Sequence, residues 1–194
     1  MRILIIAVAY NRVIPLSILM NSFLVQTNPN WELNVIYDGQ IPDDIQKILN
    51  RYTDKRIKIS NTPKRNGNWG HPNRKMMLEK LKGNKDDYVL LTNDDNYYVP
   101  TFVDQMLEKT GEDVGIVFCN TVHSYIKHGL HESSLHECGI DMGAFIVKYP
   151  VSKKVGFNYF HETADGRYAE QCKNFCVANN LRAVYIPKPL FIHN

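Results

Sequence analysis

Residues 88–107 read YVLLTNDDNYYVPTFVDQML. Tyr88 to Thr92 is a short apolar run, the pattern of a strand buried on both faces of a parallel sheet. Pro100 can open a helix, and Phe102, Val103, Met106 and Leu107 then recur at helical spacing. Between strand and helix stand Asn93-Asp94-Asp95-Asn96 and two tyrosines. An acidic residue after a strand is commonly a helix cap. Here Pro100 marks the helix start, so capping leaves the polar run unexplained.

The same rhythm extends towards the N-terminus. Arg2 to Ala9 reads as a buried strand, and Pro15 opens a helix with Leu16, Leu19, Met20 and Phe23 on one face. Trp31 to Tyr37 is a second strand, ended by the turn signal Asp38-Gly39. Asp43 or Asp44 can cap a helix carrying Ile45, Ile48, Leu49 and Tyr52, and Ile57 to Ser60 is a short third strand. Pro72 to Lys82 reads as a helix with Gly83 just beyond it. Strand and helix in alternation imply a parallel sheet with helices on both faces. Past residue 110 the pattern is less regular: strands at 114–120 and 143–147, a helix at 164–179, and a surface flap at 123–138.

In such a sheet the ligand crevice lies beyond the carboxyl ends of the strands. Three of these ends carry unusual polar residues: Tyr10-Asn11-Arg12, Asp38-Gly39, and Asn93 to Asn96. Two adjacent carboxylates repel each other unless a cation or protons intervene. A hard divalent ion, Mg2+ or Mn2+, accepts carboxylate oxygens and keeps positions open for phosphate. A phosphate-carrying ligand is therefore expected. The glycine-containing stretch NGNWGHPNRK, residues 66–75, matches neither a P-loop nor a dinucleotide fingerprint. Asn73 and Arg74 begin a helix within reach of a phosphate. Trp69 and His71 are loop aromatics, as suited to pinning the loop as to stacking on a ligand.

Composition excludes other classes. Apolar residues make up 44% and charged residues 22% of 194 residues, ordinary for a globular domain. A net charge of +3 from scattered basic residues argues against nucleic acid. No apolar run reaches the roughly 18 residues of a membrane span, and the N-terminal apolar stretch lacks a signal-peptide cleavage site. Four cysteines, with a CxxxC spacing, read as free thiols in a reducing, cytoplasmic compartment. His123, His128, His131 and His136 lack paired metal-ligand spacing and read as exposed flap histidines.

Residues 88–107 resemble the acidic motif of GT-A glycosyltransferases of family 2, and TNDDN followed by YVP is similar to a spore-coat polysaccharide branch. The ordered set of Tyr10-Asn11-Arg12, VIYDG, CGIDMGAFIVKYPVSKKVG and YIPKPLFIHN extends the resemblance over nearly the whole chain. It implies a GT-A α/β three-layer sandwich with a mostly parallel sheet. Residues 1–194 would form one catalytic domain, with a nucleotide-binding half at 1–100 and an acceptor-side half at 101–194. The implied activity is metal-dependent transfer of a sugar, with inversion, from a uridine or thymidine diphosphate donor to a glycan or other hydroxyl acceptor. Ala9, Tyr10, Asn11 and Arg12 would border the nucleotide, and Asp38 would hydrogen-bond its base. Asp95 would be the principal metal ligand, Asp94 would contact ribose or metal-bound water, and His193 would add a ligand. The usual first acidic position is Asn93, which leaves the division of labour between Asp94 and Asp95 open. Asp165 would be the general base, with a helix-cap role as its alternative and Glu162 and Glu170 as competitors. Arg167 could pair with Asp165 or with a phosphate. Because Asn194 follows His193 at once, the chain is also readable as a module of a longer polypeptide. Two other readings stay open: a sugar-phosphate nucleotidyltransferase, though AYNRVIP lacks the glycine-rich loop it needs, and a non-catalytic nucleotide- or carbohydrate-binding module.

Overall fold

The computed structural model describes residues 1–194. Strand β1 (Ile3–Ala9) is buried along its whole length because it is flanked on both edges, by β2 (Trp31–Tyr37) and β4 (Tyr88–Asn93), both parallel to it. Strand β3 (Ile57–Asn61) extends this parallel half beyond β2. Helices α1 (Val13–Leu24) and α2 (Asp43–Leu49) connect β1 to β2 and β2 to β3. The chain then returns to the other side of β1 through α3 (His71–Lys80). Reversal of direction with right-handed crossovers puts α3 on the face opposite α1 and α2. Leu16, Leu19, Met20 and Phe23 are buried in α1, the set that the 3.6-residue period selects. Helix α4 (Phe102–Glu108) likewise buries Phe102, Val103, Met106 and Leu107.

The second half completes a mixed nine-stranded sheet in the order β3-β2-β1-β4-β8-β6-β9-β5. Strand β8 (Phe145–Lys148) is antiparallel to β4 and to β6 (Val114–His123). Strand β9 (Arg182–His193) runs parallel to β6 and antiparallel to β5 (Asn96–Tyr98). A short β7 (Gly129–His131) folds back on β6. Helices α5 (Tyr149–Val155) and α6 (Ala164–Ala178) pack together, tied by a 2.7 Å hydrogen bond between Ser152 Oγ and Tyr168 Oη. No helix is long and apolar enough to cross a membrane.

Residues 96–98, a run with no strand signal of its own, form a strand because the C-terminal β9 offers them a ladder. One expectation needs correction. The flap at 123–138 begins inside β6, so His123 is a half-buried strand residue; His128 and His136 are exposed. All four cysteines are unpaired, and Cys119, Cys172 and Cys176 are buried.

Helix α6 approaches the 136–138 segment so closely that a Cβ on Gly166 would stand 2.6 Å from His136 O and 2.7 Å from Cys138 N. Overpacking of this kind costs about 1–3 kcal/mol, against a gain of at most about 1 kcal/mol in helix propensity. Gly166→Ala should therefore lower the unfolding free energy in a denaturant titration. An unchanged midpoint would mean that backbone 136–138 yields without cost.

Candidate active site

Ala9 and Asn93 end β1 and β4, and Asp38 follows β2 at once. The sheet order reverses between β1 and β4, the point where open α/β sheets leave a crevice. A cleft of about 570 Å³ opens there. Of the residues singled out in the sequence, Ala9, Tyr10, Arg12, Asp38, Arg74, Asp95, Asp165 and His193 line it. Asn11, Asn73 and Asp94 do not.

Asp94 lies beneath the surface. One carboxylate oxygen pairs with Arg12 Nη2, and the other accepts a 3.2 Å bond from the Tyr10 N–H. Burial pushes its carboxyl up to about 6; Arg12 opposes the shift and Asp95 adds to it. Arg12 also donates from Nη1 to Asp95 Oδ2 at 2.6 Å. Burial lowers the affinity of this guanidinium for its proton, but the two carboxylates outweigh burial and raise it. Part of the cation that the acidic pair demands is thus supplied by the chain.

Asp95 Oδ1 remains buried without a hydrogen-bond partner, whereas His193 Nδ1 makes no aligned hydrogen bond but lies 3.4 Å from Asp141 Oδ2. Both side chains line the cleft, because β5 pairs with β9 in the register Asn96↔His193 and Asn194 Nδ2 donates to Asp95 O at 2.9 Å. A carboxylate oxygen without a partner, in a cleft that an imidazole also lines, suits a divalent cation. The residues present fit such an ion.

The buried Asp38 carboxylate accepts from Asn66 N–H and Asn73 Nδ2, each at 2.8 Å, and from Gly67 N–H at 3.0 Å. A carboxylate offers about four acceptor positions, so one remains for a ligand. Asn73 is completely buried and acts here on Asp38, while Asn11 donates its N–H to Tyr37 Oη at 3.1 Å. Arg74 is a buried strut. It donates to Trp69 O at 2.6 Å, to Thr92 O at 3.3 Å and to Asn93 Oδ1, tying the 69–74 segment to the end of β4. His71 lies against it; burial, reinforced by Arg74, pushes its imidazole down to about 4, so it is neutral at pH 7.

Asp165 sits in the first turn of α6, facing the cleft, and accepts a 3.2 Å bond from Met142 N–H. Burial lifts its carboxyl to about 6; Arg74 pulls it down and Asp141 pushes it further up. A carboxyl tuned this way is ionised at neutral pH yet basic enough to take a proton. Glu162 shares the cleft, whereas Glu170 lies 3.8 Å from Arg167. Arg167 in turn pairs with Glu137 at 2.7 Å, not with Asp165.

Sequence reasoning missed Arg65, whose guanidinium stacks 3.9 Å over the Tyr10 ring at the cleft. One arginine in a polar loop carries no local signal that distinguishes it. Trp69 stands at the rim, 66% exposed. Such exposure leaves its indole face open to a ligand.

Residues 4–168 match the family model described as "Glycosyl transferase family 2". No curated protein sequence matches the chain. Among solved structures, S. aureus TarS 1-349 superposes with a TM-score of 0.73 at 18% identity, over 100% of this chain and 60% of that one. The same protein in complex with UDP-GlcNAc gives 0.72 at 16% identity, over 99% and 58%. Mannosyltransferase PcManGT from Pyrobaculum calidifontis, in complex with GDP-Man and Mn2+, gives 0.72 at 14%, over 98% and 56%. At these identities the likeness establishes the fold, a GT-A-type α/β sandwich. The chain spans less than two thirds of the length of each of these structures.

Proposed function

The chain belongs to glycosyl transferase family 2, and from that premise we propose that it moves a sugar from a uridine or thymidine diphosphate donor to an acceptor hydroxyl, with inversion. One observation carries this reading: Asp38, the Asp95–His193 pair and Asp165 open into a single cleft at the carboxyl edge of the sheet. The donors bound by S. aureus TarS and by PcManGT, UDP-GlcNAc and GDP-Man, support the donor class.

The proposed steps follow from the chain's own groups. The remaining acceptor position of Asp38 takes the N3–H of uracil or thymine, while Ala9, Tyr10 and Arg12 border the nucleotide. Asp95 and His193 would hold Mn2+ or Mg2+, with Asp94 behind them set by Arg12 and the Tyr10 N–H. Such an ion supplies stabilisation of the negative charge that develops on the leaving diphosphate. Asp165 removes the acceptor hydroxyl proton as that oxygen attacks the anomeric carbon. The buried Arg74 guanidinium adds a positive charge near Asp94, Asp95 and Asp165 that favours their ionised forms. Residues 1–194 act as one catalytic domain in the spore-coat polysaccharide branch, building a glycan in the cytoplasm, where the four free thiols stay reduced.

The test is a panel of nucleotide sugars incubated with manganese and candidate acceptors, read as free nucleoside diphosphate. Uridine or thymidine diphosphate should bind about tenfold to a hundredfold tighter than cytidine or guanosine diphosphate. A wrong base leaves buried polar groups unpaired, at a cost of roughly 1–3 kcal/mol. Equal binding of all four would remove Asp38 from base reading. Binding without any turnover would leave a nucleotide-binding module.

A further inference from the structure

The acidic turn and α6 do not use every ligand-type side chain near the cleft. His123 ends β6 and His193 ends β9, and the parallel pairing of these strands sets them opposite each other in register. Paired residues in a sheet share a face, so both imidazoles project to the same side. Asp141 arrives from a third element, the residue just before the single helical turn 142–144. Its Oδ2 lies 2.5 Å from His123 Nε2 and 3.4 Å from His193 Nδ1. One carboxylate oxygen therefore faces two imidazole nitrogens from different strands. His193 Nδ1 approaches Asp141 within ion-pair distance but without hydrogen-bond alignment, and Asp95 Oδ1, in the same cleft, has no partner.

Packing holds this arrangement. Tyr125 and His131 each stack on the His123 ring with centroids 5.2 Å away, at interplanar angles of 13° and 15°. The His193 ring meets His123 edge-on at 5.5 Å. The three ligand atoms lie within 4.8 Å of one another. Metal–nitrogen and metal–oxygen bonds of about 2.0–2.2 Å need only shifts of a few tenths of an ångström per side chain to close on one ion. Ligand-type atoms from three separate elements thus converge on one point at the cleft.

We propose that His123, Asp141 and His193 form a preformed site for one first-row transition-metal ion, beside Asp95 at the cleft. Two imidazoles and one carboxylate suit Mn2+, Co2+ or Zn2+, whereas Mg2+ prefers an all-oxygen shell and gives up its waters reluctantly. The inference rests on the function proposed above only in taking His193 as a metal ligand. It adds two ligands, His123 and Asp141, and a choice of metal.

The experiment uses the full chain, stripped of metal with a chelator and titrated with Co2+, Zn2+ and Mg2+ in the absence of nucleotide. One Co2+ or Zn2+ per chain should bind at least about tenfold tighter than Mg2+, and Co2+ should develop the visible absorption of nitrogen coordination. His123→Gln and Asp141→Asn should each weaken Co2+ binding by tenfold or more while circular dichroism and melting temperature stay near those of the parent. Both replacements keep size and polarity, and a variant that misfolds is replaced by His123→Asn or Asp141→Ser for the same titration. Three results overturn the proposal: no ion bound without nucleotide, equal affinity for Mg2+ and Co2+, or unchanged Co2+ binding in both variants. Manganese-dependent binding of uridine diphosphate is measured alongside. If it persists when metal alone does not bind, the preformed site fails and the glycosyltransferase reading stands.

Discussion

Asp165→Asn should cut sugar transfer by about a hundredfold to ten-thousandfold, the range for lost general-base catalysis. Donor affinity should barely change, because the nucleotide is read at Asp38 and at the Asp95–His193 pair, on other elements. Asparagine keeps the size of the side chain and an oxygen to accept from Met142 N–H, so the first turn of α6 should hold. The pH profile adds a second readout. Burial raises the Asp165 carboxyl to about 6 against the pull of Arg74. The group is protonated, and useless as a base, below that value and ionised above it. Transfer by the parent enzyme should therefore rise through pH 6 and level off, and the asparagine variant should lose that limb. Product analysis by NMR should show inverted anomeric configuration. Full activity in the variant would move the base elsewhere, with Glu162, which shares the cleft, first in line. Retained configuration would end the single-displacement mechanism.

Asp95→Ala should abolish metal-dependent nucleotide binding, measured by calorimetric titration of uridine diphosphate with and without manganese. Losing residues that only support metal ligands already costs about 10–100-fold in metal affinity, so losing a ligand should exceed about a hundredfold. The fold should survive: Asp94, the buried member of the pair, keeps both Arg12 and the Tyr10 N–H. A melting temperature near that of the parent would separate loss of binding from loss of structure. Unchanged affinity for uridine diphosphate in manganese would remove Asp95 from the metal site. Metal-independent binding that grows in the variant would point instead to Arg12, freed from one carboxylate, as the diphosphate's cation.

The parts of this protein that were legible in the sequence are those decided by local periodicity. The buried faces of α1 and α4 follow from 3.6-residue spacing, and β1 and β4 from short apolar runs. Strand–helix alternation then dictated the parallel half of the sheet, and with it the edge where Ala9 and Asn93 end their strands and Asp38 follows its own. The second half was less legible because its strands are antiparallel, short or bulged. Strand β9 changes register against β6 between Cys119 and Thr121, and β5 has only three residues.

The sequence by itself determined the layer architecture, the position of the cleft and the residue types available to it, because apolar spacing selects which faces must leave water. Only the tertiary structure decided which of those residues meet. Residues 95 and 193 are brought to one cleft by the β5–β9 pairing of segments nearly a hundred residues apart, the β6–β9 pairing sets His123 opposite His193, and Asp141 joins them from a third element. Arg12 was legible as a residue beside the nucleotide but not as the partner of both Asp94 and Asp95. Ion pairs and ligand clusters depend on distances between chain segments brought together by core packing, and a hydrophobic pattern that repeats every two or four residues carries no information about those distances.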